Sequence, residues 1–162
     1  MVLEIESAAP LFEANVVLGQ NVFDVKSTDY SNKFVVMIFY PVDFTTQAAK
    51  ELKNFSEKIE EFNKLNVQIF GISTDSTFTH LAWGRTPGVT GVENLKIPLI
   101  ADKSHEVTRA FEMLNERDGR AFKGLYIIDN TDTIRHISIF DDCVDPNVDE
   151  IIQQIKLLQS KK

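Results

Sequence analysis

The chain has a single cysteine in 162 residues, Cys143, so no intrachain disulfide can form, and a reducing, cytoplasmic setting is the plain reading. Basic residues are outnumbered, 17 against 24 acidic, giving a net charge of −7 and a pI near 4.9. That balance argues against nucleic acid and against an anionic membrane surface as partners. No apolar run approaches the ~20 residues a helix needs to span a bilayer, and the N-terminus lacks a basic stretch followed by an apolar core. Histidines are few: His80, His105 and His136 fall on three different predicted elements, none with a second ligand at metal spacing. Asp141, Asp142 and Asp145 cluster without the Gly and Glu of a calcium loop, so a solvated turn is the better reading. The Gly84–Gly91 loop lacks the G-x-x-x-x-G-K phosphate-binding pattern. Metal and cofactor are therefore not expected. There are no internal repeats, low-complexity segments or linkers, and residues 1–162 read as one domain of ordinary globular composition.

What is present centres on Phe34–Phe62. Phe34–Tyr40 is β-branched and aromatic without a polar break, which predicts a strand buried on both faces. After Pro41 a short loop leads into a helix on which Leu52, Phe55, Ile59 and Phe62 form one apolar stripe. Thr45 stands at the N-cap position, where its hydroxyl oxygen can accept from a free N–H of the first turn. Those N–H groups and the positive end of the helix dipole favour an anion at this corner.

The rest of the chain alternates around this unit. Phe12, Val16, Val17 and Val22 predict a hairpin at the domain edge, and Val67–Ile72 a second buried strand parallel to the first. Ser73–Ser76 opens a helix carrying Phe78, Leu81, Ala82 and Trp83; residues 84–94 read as an exposed loop. Ile97–Ile100 is a short strand, and residues 104–113 a short helix with Val107, Ala110 and Phe111 inward. Leu125–Asp129 and Ile134–Phe140 predict an antiparallel hairpin, and residues 147–160 a closing helix with Val148, Ile151, Ile152, Ile155 and Leu158 on one face and Lys161-Lys162 at its end. This is an α/β, thioredoxin-like layout: a central mixed sheet, flanking helices and an N-terminal hairpin.

Several stretches in the same order resemble the 2-Cys peroxiredoxins, the alkyl hydroperoxide reductase/thiol-specific antioxidant group. Pro41-Val-Asp-Phe-Thr45 looks like the family's P-x-x-x-T-x-x-C loop, and Ala9-Pro10-Leu11-Phe12 its opening segment. Ser73–Trp83, Leu95–Asp102, Gly124–Asp129 and Val148-Asp-Glu150 follow in turn. The resemblance implies a thiol-dependent peroxidase of the peroxiredoxin type, a homodimer or higher ring, and a packing role for His80 near a subunit interface.

The residues of that chemistry do not follow. Counting from Pro41 and Thr45, the peroxide-attacking cysteine falls on Ala48 and the proline after it on Ala49, while Glu51 matches the family's acidic residue. The pocket arginine falls on Lys123 and a second arginine on Pro146; no Val-Cys-Pro resolving motif follows. A methyl group cannot attack a peroxide oxygen, because the reaction needs a thiolate within reach of the O–O bond. An introduced Cys→Ala exchange is a competing account of Ala48, and the changes at Ala49, Lys123 and Pro146 argue against it.

Pro41, Thr45, Ala48, Glu51 and Lys123 therefore read as a vestigial pocket with no catalytic residue, in a protein that acts by association with itself, with an active peroxiredoxin, or with another partner. Two alternatives stand beside it. One is residual thiol chemistry at Cys143, whose acidic neighbours disfavour the thiolate and favour the plain reading of an incidental thiol. The other is a weak anion site on Thr45, the helix N-terminus and Lys123. Phe44 with Trp83 is a candidate subunit contact, and Ile134, His136, Ser138 and Phe140 mark a sheet edge on which a second copy would pair.

Overall fold

The computed structural model describes residues 2–160. Its main sheet has seven strands in the order β2-β1-β5-β4-β3-β8-β9. These are β1 (Glu13–Leu18), β2 (Asn21–Lys26), β3 (Phe34–Phe39), β4 (Val67–Ser73), β5 (Leu99–Ala101), β8 (Lys123–Ile128) and β9 (Ile134–Phe140). The β3–β4 and β4–β5 pairs are parallel; β1–β2, β1–β5, β3–β8 and β8–β9 are antiparallel. The parallel strands need crossovers, supplied by α1 (Thr46–Glu57) with α2 (Ile59–Lys64), and by α3 (Thr77–Gly84). A small hairpin of β6 (Leu114–Asn115) and β7 (Arg120–Ala121) follows α4 (Glu106–Ala110), and α5 (Val148–Ser160) closes the chain.

β3 is buried at all six residues because side chains alternate between two cores. On one face Val36, Ile38, Leu125 and Ile127 meet Leu52, Phe55 and Phe62 of α1 and α2 and Ile151, Ile152 and Ile155 of α5. On the other, Met37, Phe39, Phe70 and Tyr126 meet Val107, Phe111 and Met113. Each fully buried Phe or Ile contributes about 1.5–3 kcal/mol relative to exposure, so this strand anchors the fold.

Several expectations are corrected. The helix expected to run through Phe62 breaks at Lys58, whose φ of −101° and ψ of 12° leave the helical region. The apolar stripe survives the break, since Phe55 and Phe62 rings lie 6.0 Å apart. On α4 it is Thr108 that turns inward and Ala110 that is exposed, because both Thr108 N and Oγ1 donate to the buried Asp102 carboxylate. Phe78 faces solvent, 80% exposed, while His80 and Trp83 are fully buried. Trp83 is thus no subunit contact; its Nε1 donates to Thr90 O, 2.6 Å away. The loop over 84–94 is not wholly exposed either, for Val92 is buried and Val92 N donates to Trp83 O. Gly91 allows that return: a Cβ there would stand 1.9 Å from Thr86 O. Lys161 and Lys162 lie outside the described residues.

β9 is an edge strand, as read from the sequence, but not along its whole length. Ile134 N donates to Ser7 O and Ile134 O accepts from Glu6 N, so the N-terminal segment covers the start of the edge. Ile134 is fully buried, and His136 and Ser138 are tied to each other and, through His136 Nδ1, to Gln154 of α5. Ile139, 65% exposed, is the apolar side chain this strand offers to solvent.

A buried polar network links α3 to the loop after β3. Tyr40 Oη donates to Asp43 Oδ1 at 2.8 Å, and His80 Nδ1 lies 2.5 Å from Asp43 Oδ2. His80 Nε2 lies 3.0 Å from Ile100 O, an obligate acceptor. With acceptors at both ring nitrogens, His80 is held as the imidazolium. Burial alone lowers its pKa, but the hydrogen bond and charge of Asp43 outweigh this and raise it. Removing the ring strands a buried carboxylate, so His80→Ala lowers stability by about 3–5 kcal/mol. The wild-type contribution is complete below the unfolded histidine pKa of ~6.5 and is lost as pH rises through the higher folded value. Urea unfolding from pH 6 to 9 therefore shows a decline that flattens in His80→Ala.

Candidate functional site

The loop Pro41–Phe44 is fixed from below by the Asp43–His80 network and by Asp43 N, which donates to Asp75 Oδ2 at 2.9 Å. Pinned in this way, Phe44 takes a φ of 66°, a left-handed conformation unusual for an aromatic residue. Its half-exposed ring lies 6.2 Å from that of Trp83. Thr45 follows in extended geometry, and its Oγ1 accepts from Ala48 N at 3.2 Å, the N-cap bond its sequence position predicts. Ala48 stands in the first turn of α1 with 4% of its surface exposed.

A cavity of about 140 Å³ opens above Ala48. Its walls include Tyr40, Pro41, Val42, Thr45, Glu51 and Lys123, and its mouth Gln47, Arg120 and Asp142. All five residues marked by the sequence thus come together here. Chain order accounts for the meeting: Pro41–Glu51 follows the C-terminal end of β3, and Lys123 opens β8, which runs antiparallel beside β3.

Lys123 is 2% exposed and is not free to receive an outside anion. Its Nζ lies 3.3 Å from Glu51 Oε2 and donates to Asp145 Oδ1 at 2.9 Å. Asp145 also accepts from Gln47 Nε2 at 2.6 Å, and its other oxygen is 3.4 Å from Lys50 Nζ. The weak anion site weighed as an alternative on Thr45, the helix N-terminus and Lys123 is disfavoured, because a carboxylate of the chain already holds the cation. Charge attraction and hydrogen bonding to Lys123 overcome the effect of burial on Asp145 and lower its pKa. Glu51 goes the other way. Burial outweighs the attraction of Lys123 and pushes it up to about 7.

Cys143 is exposed, and its Sγ donates to Asp141 Oδ1 at 3.0 Å. That bond and the Asp141 charge raise the thiol pKa, as the acidic sequence context predicts. In space, however, Cys143 follows a residue that lines the cavity mouth, so distance along the chain misjudges its position. The acidic cluster is split: Asp141 caps Cys143 while Asp145 turns inward. Among the described residues no group of three or more His, Cys, Asp or Glu side chains is placed to hold a metal ion. His136 is lowered by burial and bound within the β9–α5 layer.

Asp145, Gln47 and Arg120 were not marked as pocket residues from sequence. No local pattern announces them, since Asp145 meets Lys123 across 22 residues and Gln47 across 98.

The sequence profile of the AhpC/TSA family matches residues 5–137. The chain is 40% identical over 157 residues to Peroxiredoxin 2 of Drosophila melanogaster, covering 96% of this chain and 81% of the fly protein. It is 40% identical over 152 residues to Peroxiredoxin-2 of Bos taurus, covering 93% and 76%. Among solved structures, reduced 2-Cys peroxiredoxin of Plasmodium vivax superposes with a TM-score of 0.91 at 30% identity, covering 96% of this chain and 82% of that one. AhpC of Enterococcus faecalis gives 0.90 at 25% identity, covering 96% and 92%.

Ionising Glu51 opposes folding, so its cost is complete above pH 7 and relieved as pH falls toward the ordinary value of 4.5. Glu51→Gln removes the charge while Asp145 continues to neutralise Lys123. The variant is expected to gain about 2–3 kcal/mol at pH 8 and almost nothing near pH 5, measured by urea unfolding at both pH values. An equal change at the two would show that Glu51 is not held in its raised state.

Proposed function

The chain belongs to the AhpC/TSA family, and we propose that it is a peroxiredoxin-like member without cysteine-dependent peroxidase activity, acting by association with a second copy or a related subunit. The carrying observation is that the N-terminal turn of α1 keeps its Thr45 cap and enclosing pocket, while position 48 presents a methyl group. A peroxidatic step needs a sulfur that attacks the O–O bond, takes one oxygen as a sulfenic acid and releases water or alcohol. Ala48 has no such atom. The chain's one thiol, on Cys143, is not part of the pocket wall and is biased toward its unreactive protonated form by Asp141. Lys123, the cation that would steady a thiolate, is shared between Glu51 and Asp145.

The association reading rests on what the sheet leaves open. β9 ends the sheet, and from His136 to Phe140 no strand among the described residues pairs with its outer side. An open edge of that length invites a copy of itself in a two-fold arrangement. Phe44 and Phe78, 42% and 80% exposed, offer further apolar surface for a ring or for an active peroxiredoxin. No helix among the described residues is long and apolar enough to cross a membrane, and the reducing, cytoplasmic setting suggested by a single cysteine suits this role.

Two measurements test the proposal. Hydrogen peroxide and an organic hydroperoxide, with dithiothreitol and then thioredoxin as reductant, are expected to be consumed no faster than in buffer. Turnover that disappears in Cys143→Ser would instead establish thiol chemistry at the pocket mouth. Light scattering at micromolar concentration is expected to report a dimer or larger assembly. Ile139→Lys, which puts a charge on the exposed face of the edge strand, is expected to shift it to monomer; a wild-type monomer would sink the association reading.

A further inference from the structure

At the inner end of the Ala48 pocket two carboxylates share one ammonium. Lys123 Nζ lies 2.9 Å from Asp145 Oδ1 and 3.3 Å from Glu51 Oε2. With both acids ionised, Asp145 has two ammonium partners, the buried Lys123 and the exposed Lys50, whereas Glu51 has only its share of Lys123. Asp145 has further donors in Gln47 Nε2 and Lys50 Nζ. Glu51 has none: its side chain is 2% exposed, and beyond the 3.3 Å ion pair of Oε2 with Lys123 its oxygens find no donor. Buried carboxylate oxygens are rarely left in this condition.

The neighbouring groups cannot supply the missing donor. Tyr40 Oη is committed to Asp43 at 2.8 Å, and Thr45 Oγ1 lies 3.5 Å from Val42 O and receives Ala48 N. Arg120, at the mouth, is held by Asp118 at 2.9 Å, and Asp142 there adds an acid, not a donor. The cavity that Glu51 lines has a volume of about 140 Å³, and Pro41, Val42 and Ala48 give it apolar walls. At ~30 Å³ per water that is space for four or five, or for one small organic molecule.

We propose that this pocket binds a small primary alkylammonium ion, whose –NH₃⁺ donates to the Glu51 carboxylate while its short alkyl chain lies along Pro41, Val42 and Ala48. The chemistry is selective. An anion finds Lys123 already engaged and faces Glu51. A quaternary ammonium carries the charge without an N–H. Asp145 is what makes a second ammonium beside Lys123 tolerable, by neutralising the first. Binding of this kind is independent of whether the chain consumes peroxide or self-associates.

Thermal unfolding of the full chain at pH 8 with ethyl- or propylammonium chloride is the test. Saturable stabilisation is expected, about 3–6 °C at roughly tenfold above Kd, against little for equimolar sodium or tetramethylammonium chloride. The shift should shrink several-fold at pH 5.5, where a proton occupies Glu51, and vanish in Glu51→Gln. Ala48→Leu, which fills the cavity and keeps Glu51, should also abolish it. Equal stabilisation by sodium chloride, persistence in Glu51→Gln, or no shift would overturn the proposal. Stabilisation by phosphate or acetate instead would mean that Asp145 yields Lys123 to an outside anion, and would overturn it too.

Discussion

A lysine ammonium with almost none of its surface in water must be neutralised where it stands, and the pocket end of this structure is built on that requirement. Lys123 opens β8 between the two cores and cannot reach solvent. Leaving it unpaired would cost several kcal/mol, so the surrounding acids are part of the fold rather than decoration. Glu51 comes from the second turn of α1 and Asp145 from the loop that follows β9. By answering one charge, these two residues join three parts of the chain that are distant in sequence. The loop thereby closes one side of the cavity, and Gln47 and Lys50 add their contacts only because Asp145 has been drawn in.

Most of the scaffold was legible in the sequence, because scaffold and periodicity obey the same physics. A run such as Phe34–Tyr40 can only be a strand with two dry faces, and the α5 stripe from Val148 to Leu158 can only be a helix with one. Sequence pattern and structure part where a polar contact overrides the apolar periodicity. Thr108 displaces Ala110 from the interior because Asp102 needs its donors, and Lys58 ends α1 although the hydrophobic stripe runs on. Trp83 looked like an interface residue because its burial depends on the return of Val92 through Gly91, a tertiary event without a local signature.

The site divides in the same way. Pro41, Thr45, Ala48, Glu51 and Lys123 were found through a motif and do share one cavity. Their electrostatic state was not found. An isolated lysine near a helix N-terminus is a cation open to an anion, whereas Lys123 is already held by Asp145. Residue identity records which groups can meet, whereas charge state depends on all of them at once. The Asp43–His80 pair makes the point again, since 37 residues separate its members and only the fold places an acceptor on each side of the ring.

The frame of the pocket does not depend on a nucleophile at position 48, because it rests on other interactions. Thr45 caps α1 through backbone geometry that any small side chain at position 48 preserves, and the loop is secured by Asp43, Asp75 and His80, none of which needs a sulfur. Thiolate chemistry asks more of the same corner. A cap and a helix dipole together favour an anion by about 1 kcal/mol, and the buried carboxyl of Glu51 in the pocket wall opposes it. A sulfur at position 48 would share the cavity with Glu51 and with a Lys123 whose ammonium is engaged by Asp145. Position 48 thus carries a methyl group where a thiol would stand, and the nearby cation Lys123 is already held by an acid of the chain.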